Sequence, residues 1–209
     1  LYSMITRVAE KFPCRILLIE KSSEKDVPEV KVNVSKEKFG KRNSKISCDL
    51  ISIVFKTSEM ERIPFIVLPN ILADLPVYLI WGEDPTATTK ILEALQSFSM
   101  RLIFDAAWAD HLTDFSLKML QLLKNLKIET MDISFGLLSG WKDVLANVFD
   151  SKEKIANLQN CKKISIKYSY EKPQDALKAI YLQGCIASKM KWELKAKEMQ
   201  HETRKALCY

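Results

Sequence analysis

Three short apolar runs in the middle of the chain, Pro76–Trp81, Arg101–Asp105 and Ile128–Ser134, are separated by two stretches in which apolar residues recur at helical spacing. One stretch opens at Pro85 or Thr86 and reaches about Phe98. The other opens at Thr113 and reaches about Leu126. Parallel strands cannot be joined by a tight turn; they need a crossover of a dozen residues or more, usually a helix. Strands that read as continuous apolar runs, without alternation, suit a parallel sheet covered on both faces. The pattern therefore predicts an α/β fold built on a central βαβαβ, Rossmann-like unit. Thr113, with Asp114 in the first turn, is expected to cap the second crossover helix. Ser139 is expected to cap a further helix from Gly140 to Phe149.

The flanks supply additional strands and helices. Tyr2–Lys11 has helical spacing and Pro13 stops it; Cys14–Glu20 then reads as a buried strand. Lys21–Pro28 is a polar loop. Val30–Val34 alternates strictly, so one face is buried. Lys36–Ser44 is charged, with Gly40 as its turn. Ile46–Lys56 is expected to pair with Val30–Val34 as a hairpin, with Ile46, Cys48, Leu50, Ile53 and Phe55 pointing inward. Ser58–Ala73 has helical spacing, but Pro64 and Pro69 each remove a hydrogen bond and should break it. Lys163–Tyr170 alternates as a strand, and Pro173–Trp192 reads as a long amphipathic helix. Glu193–Ala206 is charged and either extends that helix or opens another element. The expected organisation is an N-terminal helix and hairpin over 1–56, the βαβαβ unit over 57–150, and a strand with a long helix over 151–209. Position 1 is Leu and no stop-like tail closes the chain, so both ends read as cuts.

Composition removes several classes of function. Hydrophobic residues make up 47% of the 209 positions, enough for a core. No apolar run approaches the roughly 20 residues needed to cross a bilayer, and the first residues lack a secretory signal. Five cysteines, an odd number with no C-x-x-C pair, argue against a disulfide scaffold and for a reducing, cytoplasmic setting. The two histidines, His111 and His201, are not spaced as zinc ligands, so no metal is expected. Charge is uneven. Residues 1–60 carry 12 basic and 8 acidic side chains, residues 61–150 carry 7 and 12, and residues 151–209 carry 13 and 6. The acidic middle interrupts any continuous basic track, and the Lys162–Tyr170 and Lys36–Lys45 clusters match no nucleic-acid motif.

Phosphate chemistry is equally disfavoured. A dinucleotide fold needs G-x-G-x-x-G between strand and helix so that backbone can approach a pyrophosphate. The turn here is Trp81-Gly82-Glu83-Asp84-Pro85, with one glycine and two carboxylates that repel phosphate, and no P-loop occurs elsewhere. No cofactor is expected. Glu83, Asp84, Asp105 and Asp132 sit at strand C-terminal ends, where open α/β sheets bind ligands. They could do acid–base work or hold a cation; equally, such residues cap turns and helices. No histidine is near enough in sequence to complete a hydrolytic triad. Trp81, Trp108 and Trp141 fall at strand ends or in a helix's first turn. Exposed, they would be binding anchors; buried, they would be core. The candidates for contact with a partner are Trp81, Asp84, Asp105, Trp108 and Trp141. The competing reading is an enzyme that binds a sugar phosphate in the strand-end crevice.

An ordered series of short blocks resembles the OpcA family. Phe12-Pro13-Cys14-Arg15-Ile16-Leu17-Leu18-Ile19 is similar to that family's HPCRVIVV block, and Leu68-Pro69 followed by Asp74-Leu75-Pro76-Val77-Tyr78-Leu79-Ile80-Trp81 to its LP…PDLPVFLWW block. Asp84-Pro85 matches the acidic-proline turn that follows. Leu102–Asp105 with Ala109-Asp110 resembles LIVDSAxFAD. Asp132–Phe135 through Trp141–Leu145 to Phe149-Asp150 resembles DLNWARLTPWRELLAQLFD, and Ala187–Met190 with Trp192 resembles LASRLGW. The chain departs at Ile80, Phe135 and Cys185, where tryptophan is common in the family. The resemblance implies a cytoplasmic bacterial protein that binds glucose-6-phosphate dehydrogenase and promotes its assembly or active state, with no catalytic residue of its own. Cys14 lies in one of these blocks but also in an apolar strand, so a buried, inert thiol is expected.

Overall fold

The computed structural model describes residues 2–12, 14–22, 29–39, 46–84, 90–125, 128–161, 164–169, 171–193, 196–199 and 205–208. It is a mixed α/β chain that divides into two compact units. One comprises Leu1–Pro76 and Thr89–Ser97; the other comprises Val77–Thr88 and Phe98–Tyr209. The expected turn at Gly40 and the opening of the helix at Pro85 or Thr86 lie outside the described residues.

In the first unit, helix α1 (Tyr2–Lys11) precedes strands β1 (Arg15–Lys21), β2 (Val30–Phe39) and β3 (Ile46–Phe55). The sheet order is β1-β3-β2. β3 runs parallel to β1, with Arg15 opposite Asp49, and antiparallel to β2, with Val30 opposite Phe55 and Phe39 opposite Ile46. The expected hairpin is present. Strand β2 outruns the Val30–Val34 alternation because β3 keeps offering partners as far as Phe39. The central position of β3 explains its inward residues. Cys48 and Leu50 are buried on one face, and Ile51, Ile53 and Phe55 on the other. Ile5, Leu18 and Leu50 pack together, with Ile16 against them. Full burial of Ile53 contributes roughly 2–3 kcal/mol.

The prolines break the next segment as their chemistry requires. Thr57–Arg62 and Leu68–Asn70 are 3-10 turns around the short helix α2 (Ile63–Val67). Pro64 and Pro69 each stand in a first-turn position, where the missing N–H has no partner to lose. Helix α3 (Lys90–Gln96) also belongs to this unit, with Ile91, Leu92 and Leu95 buried.

The second unit carries the parallel sheet. Strands β4 (Tyr78–Ile80), β5 (Arg101–Phe104) and β6 (Glu129–Asp132) lie in the order β4-β5-β6, all parallel. Central β5 buries Leu102 and Phe104. The edge strand β4 has only three residues and exposes Tyr78 and Ile80, so coverage on both faces fails there. Helix α4 (Leu112–Asn125) starts one residue before Thr113, so Thr113 lies inside the first turn and does not cap it. The His111 carbonyl accepts the Phe115 N–H at 2.9 Å. Strand β6 stops at Asp132, two residues early, because Asp132 caps the short helix α5 (Ile133–Gly136). Helix α6 (Ser139–Val148) has Leu138 at its cap, with Ser139 as the first helical residue.

Helix α7 (Lys152–Gln159) has no counterpart in the sequence reading; Ser151 caps it by accepting the Lys154 N–H at 3.3 Å. The strand expected over Lys163–Tyr170 is absent: residues 164–169 have no regular structure. Alternation makes a strand only where a neighbouring strand accepts its hydrogen bonds. A 3-10 turn (Pro173–Asp175) leads into helix α8 (Ala176–Met190), which Lys191 ends in the left-handed region at φ 55°. After it, β7 (Ala196–Met199) and β8 (Lys205–Cys208) pair antiparallel. The charged tail therefore does not extend the helix.

Candidate functional site

Two of the strand-end carboxylates, Asp105 and Asp132, are held by the protein's own donors. Asp105 follows β5 and caps the turn Ala106–Trp108; its Oδ1 accepts the Ala107 N–H at 3.0 Å and the Ser134 hydroxyl at 2.6 Å. Asp132 ends β6. Its Oδ1 accepts the Ser134 N–H at 2.8 Å and the Ala106 N–H at 3.4 Å, and its Oδ2 accepts the Tyr181 hydroxyl at 2.5 Å. Asp132 and Ser134 are buried. The arrangement ties the ends of two adjacent parallel strands to helix α8. Burial pushes the Tyr181 phenol above its ordinary pKa, and the hydrogen bond to Asp132 and the charges of Asp132 and Asp105 push it further. Carboxylates engaged in this way cap and fasten the sheet, and Asp132, with Tyr181, also lines an open groove along β6.

The remaining candidates divide by exposure. Asp84 accepts the Asp110 N–H at 3.3 Å, so the turn after β4 is anchored to the segment after β5. Trp81 is half-buried, its backbone N–H donates to the Ile103 carbonyl at 2.8 Å, and its buried indole N–H has no partner among the described residues. Trp108 and Trp141 are 62% and 60% exposed, which makes them surface groups and not core. Trp81, Asp84, Asp105 and Trp108 thus all lie on segments leaving the C-terminal ends of β4 and β5, whereas Trp141 stands apart on α6. No group of three or more His, Cys, Asp or Glu side chains among the described residues could hold a metal ion.

Two surface features surround Trp141. Leu137, Trp141, Val144 and Val148 are each more than half exposed. Their spacing of four, three and four residues places them on one face of α6 and its leading turn. Contiguous apolar surface of this kind marks an interaction site more often than an ordinary monomer face. Beside it an open groove of about 690 Å³ runs along edge strand β6, lined by Phe104, Met131, Phe135, Lys142 and Tyr181 among others. Phe135 meets Tyr181 edge-on at 5.8 Å, and the Lys142 ammonium stands 4.1 Å from the Phe135 ring centre. Arg101 forms an ion pair with Glu129 at the other end of the groove.

Sequence reasoning found Asp105 and Asp132 but missed Ser134 and Tyr181 as their hydrogen-bond partners. Asp132-Ile133-Ser134 carries a readable signal, a carboxylate two residues before an amide it can accept from. Tyr181 lies 49 positions from Asp132, and nothing local links the two.

Residues 5–121 match the family described as the glucose-6-phosphate dehydrogenase subunit N-terminal domain, the OpcA assembly family. The chain belongs to this family. Three relatives bear the name OxPP cycle protein OpcA. The one from Synechocystis sp. is 27% identical over 88% of this chain and 38% of its own length. That from Synechococcus elongatus is 27% identical over 89% of this chain and 41% of its own length, and that from Nostoc punctiforme is 25% identical over 89% and 40%. The chain therefore spans about two fifths of the length of these curated relatives. OpcA membership agrees with the α/β architecture and with the block series from Pro13 to Trp192. No helix among the described residues is long and apolar enough to cross a membrane.

Proposed function

We propose that this chain binds glucose-6-phosphate dehydrogenase and, without catalysis of its own, promotes the enzyme's assembly or active state in the pentose phosphate pathway. The observation that carries the reading is the family match over residues 5–121, whose description names that dehydrogenase. The surface chemistry supports it. Asp105 and Asp132 are engaged in capping and cross-linking, and α6 with its leading turn exposes Leu137, Trp141, Val144 and Val148 on one face. Leu137, Trp141, Val144 and Val148 would form the centre of the contact, a buried aromatic anchor flanked by aliphatic groups. Trp108, Trp81, Asp84 and Asp105 would contribute from the sheet end. An activator of this kind works by differential affinity: it shifts its target toward the active form only as far as it binds that form more tightly.

A pull-down and an activity assay with the cognate dehydrogenase test the reading together. Capture of the enzyme by the immobilised chain, with a rise in its rate or in its oligomeric order, is the expected outcome. No capture and no change in rate would overturn it.

A further inference from the structure

Cys14 and Cys48 lie side by side in the first unit. Arg15 pairs with Asp49 in the parallel register of β1 and β3, so residues 14 and 48 are the next neighbours back along the same two chains. Adjacent strands run about 4.8 Å apart, inside the Cα separation of about 4.4–6.8 Å that a disulfide spans. Cys48 is near enough to Cys14 to raise its pKa, and the Cys48 thiol donates to the Ala9 carbonyl at 3.9 Å.

The bond from Cys48 to Ala9 fills a gap left by the sequence. In a continuing helix the Ala9 carbonyl would accept the amide of residue 13. Residue 13 is proline and has no N–H. The Phe12 N–H goes to Val8 instead, at 2.9 Å. Ala9 is fully buried, so water is no substitute. The Cys48 thiol therefore stands in for the missing amide and fastens the end of α1 to β3.

We propose that Cys14 and Cys48 are a pair that hydrogen peroxide converts to a disulfide, and that this bond releases the end of α1 from β3. Cys14 is half-buried and Cys48 buried, so the peroxide reaches Cys14. Its O–O bond breaks, one oxygen passes to the Cys14 sulfur to give a sulfenic acid, and water leaves. The Cys48 sulfur then attacks that sulfur. The S–S bond forms, the S–O bond breaks, and the hydroxyl departs with the Cys48 proton as a second water. The two thiols lose two electrons and two protons, and the peroxide is reduced to water. The S–H that capped Ala9 is consumed in the step. Burial and the neighbouring Cys48 hold the Cys14 thiol above its ordinary pKa, which lowers its thiolate fraction and slows the first attack.

The test exposes the chain to hydrogen peroxide and maps its tryptic peptides without reduction. The expected product is a Cys14–Cys48 cross-linked peptide that a thiol reductant removes and that neither Cys14→Ser nor Cys48→Ser forms. Both variants should fold. The first leaves the Cys48 cap in place, and the serine hydroxyl of the second can donate to Ala9. Amide exchange over residues 2–12 should rise about threefold to tenfold in the oxidised wild type, the effect of losing one buried hydrogen bond, and stay unchanged in Cys14→Ser. Cys161, which is exposed, reports that the oxidant has acted. Oxidation of Cys161 without any Cys14–Cys48 peptide would overturn the proposal. A cross-linked peptide with unchanged exchange in α1 would overturn the release of the helix.

Discussion

Single residues at the sheet's end explain more of this unit's stability than of any chemistry. Asp132 is buried and accepts from the Ser134 and Ala106 amides and from the Tyr181 hydroxyl. Asp132→Ala would leave those donors unsatisfied, and each costs about 1–3 kcal/mol when buried. A loss of about 3 kcal/mol in urea unfolding is expected; a loss under 1 kcal/mol would mean that water replaces the carboxylate. Tyr181 makes stability depend on pH. A tyrosine in the unfolded chain ionises near pH 10, whereas the folded phenol is held above that value. Its folded pKa is raised, so its contribution is complete below about pH 10 and is lost as pH climbs toward the folded value. The stability difference between wild type and Tyr181→Phe should therefore narrow above about pH 10. A constant difference from pH 8 to about pH 11 would show that the phenol is not perturbed. The aspartates were legible in the sequence because they end apolar runs. Tyr181 was not, because its role depends on where α8 is packed.

At the scale of elements, pattern was a sound guide where a segment finds its partner nearby. Tyr2–Lys11, the β2–β3 hairpin and the three parallel strands all appear near their expected positions. Pattern misled where the partner was missing or remote. Residues 164–169 alternate as well as β2 does, yet remain irregular. The tail forms a hairpin because two short segments pair, although its charged composition suits a helix. Helix α6 shows the value of exposure as a second measurement. The four apolar positions on α6 and its leading turn have the periodicity of a core-facing stripe, and only the structure shows that they face outward. Val144→Asp should weaken capture of the dehydrogenase at least tenfold while changing stability by no more than about 0.5 kcal/mol, as exposed substitutions do. Val34→Asp, on an exposed position of β2, should leave capture unchanged. Equal loss from both variants would remove α6 from the interface.

For the molecule as a whole, composition already pointed away from metal and phosphate chemistry. Treatment with a chelator is accordingly expected to leave the melting temperature within about 1 °C of the untreated chain; a larger fall would reveal a structural ion. The division into two units was beyond the sequence. The chain enters the second unit at Val77, returns to the first over Thr89–Ser97, and leaves again at Phe98. A helix with ordinary crossover spacing, α3, therefore belongs to the unit that lacks the parallel sheet. Local residue order determined the α/β class, the proline breaks, the parallel strands and the family, because hydrophobic period, backbone sterics and short motifs are properties of neighbours in sequence. Tertiary structure decided which apolar stripe stays bare, which carboxylates are engaged and which two thiols lie on neighbouring strands. Those outcomes depend on groups tens of residues apart, and only packing brings such groups within hydrogen-bond reach.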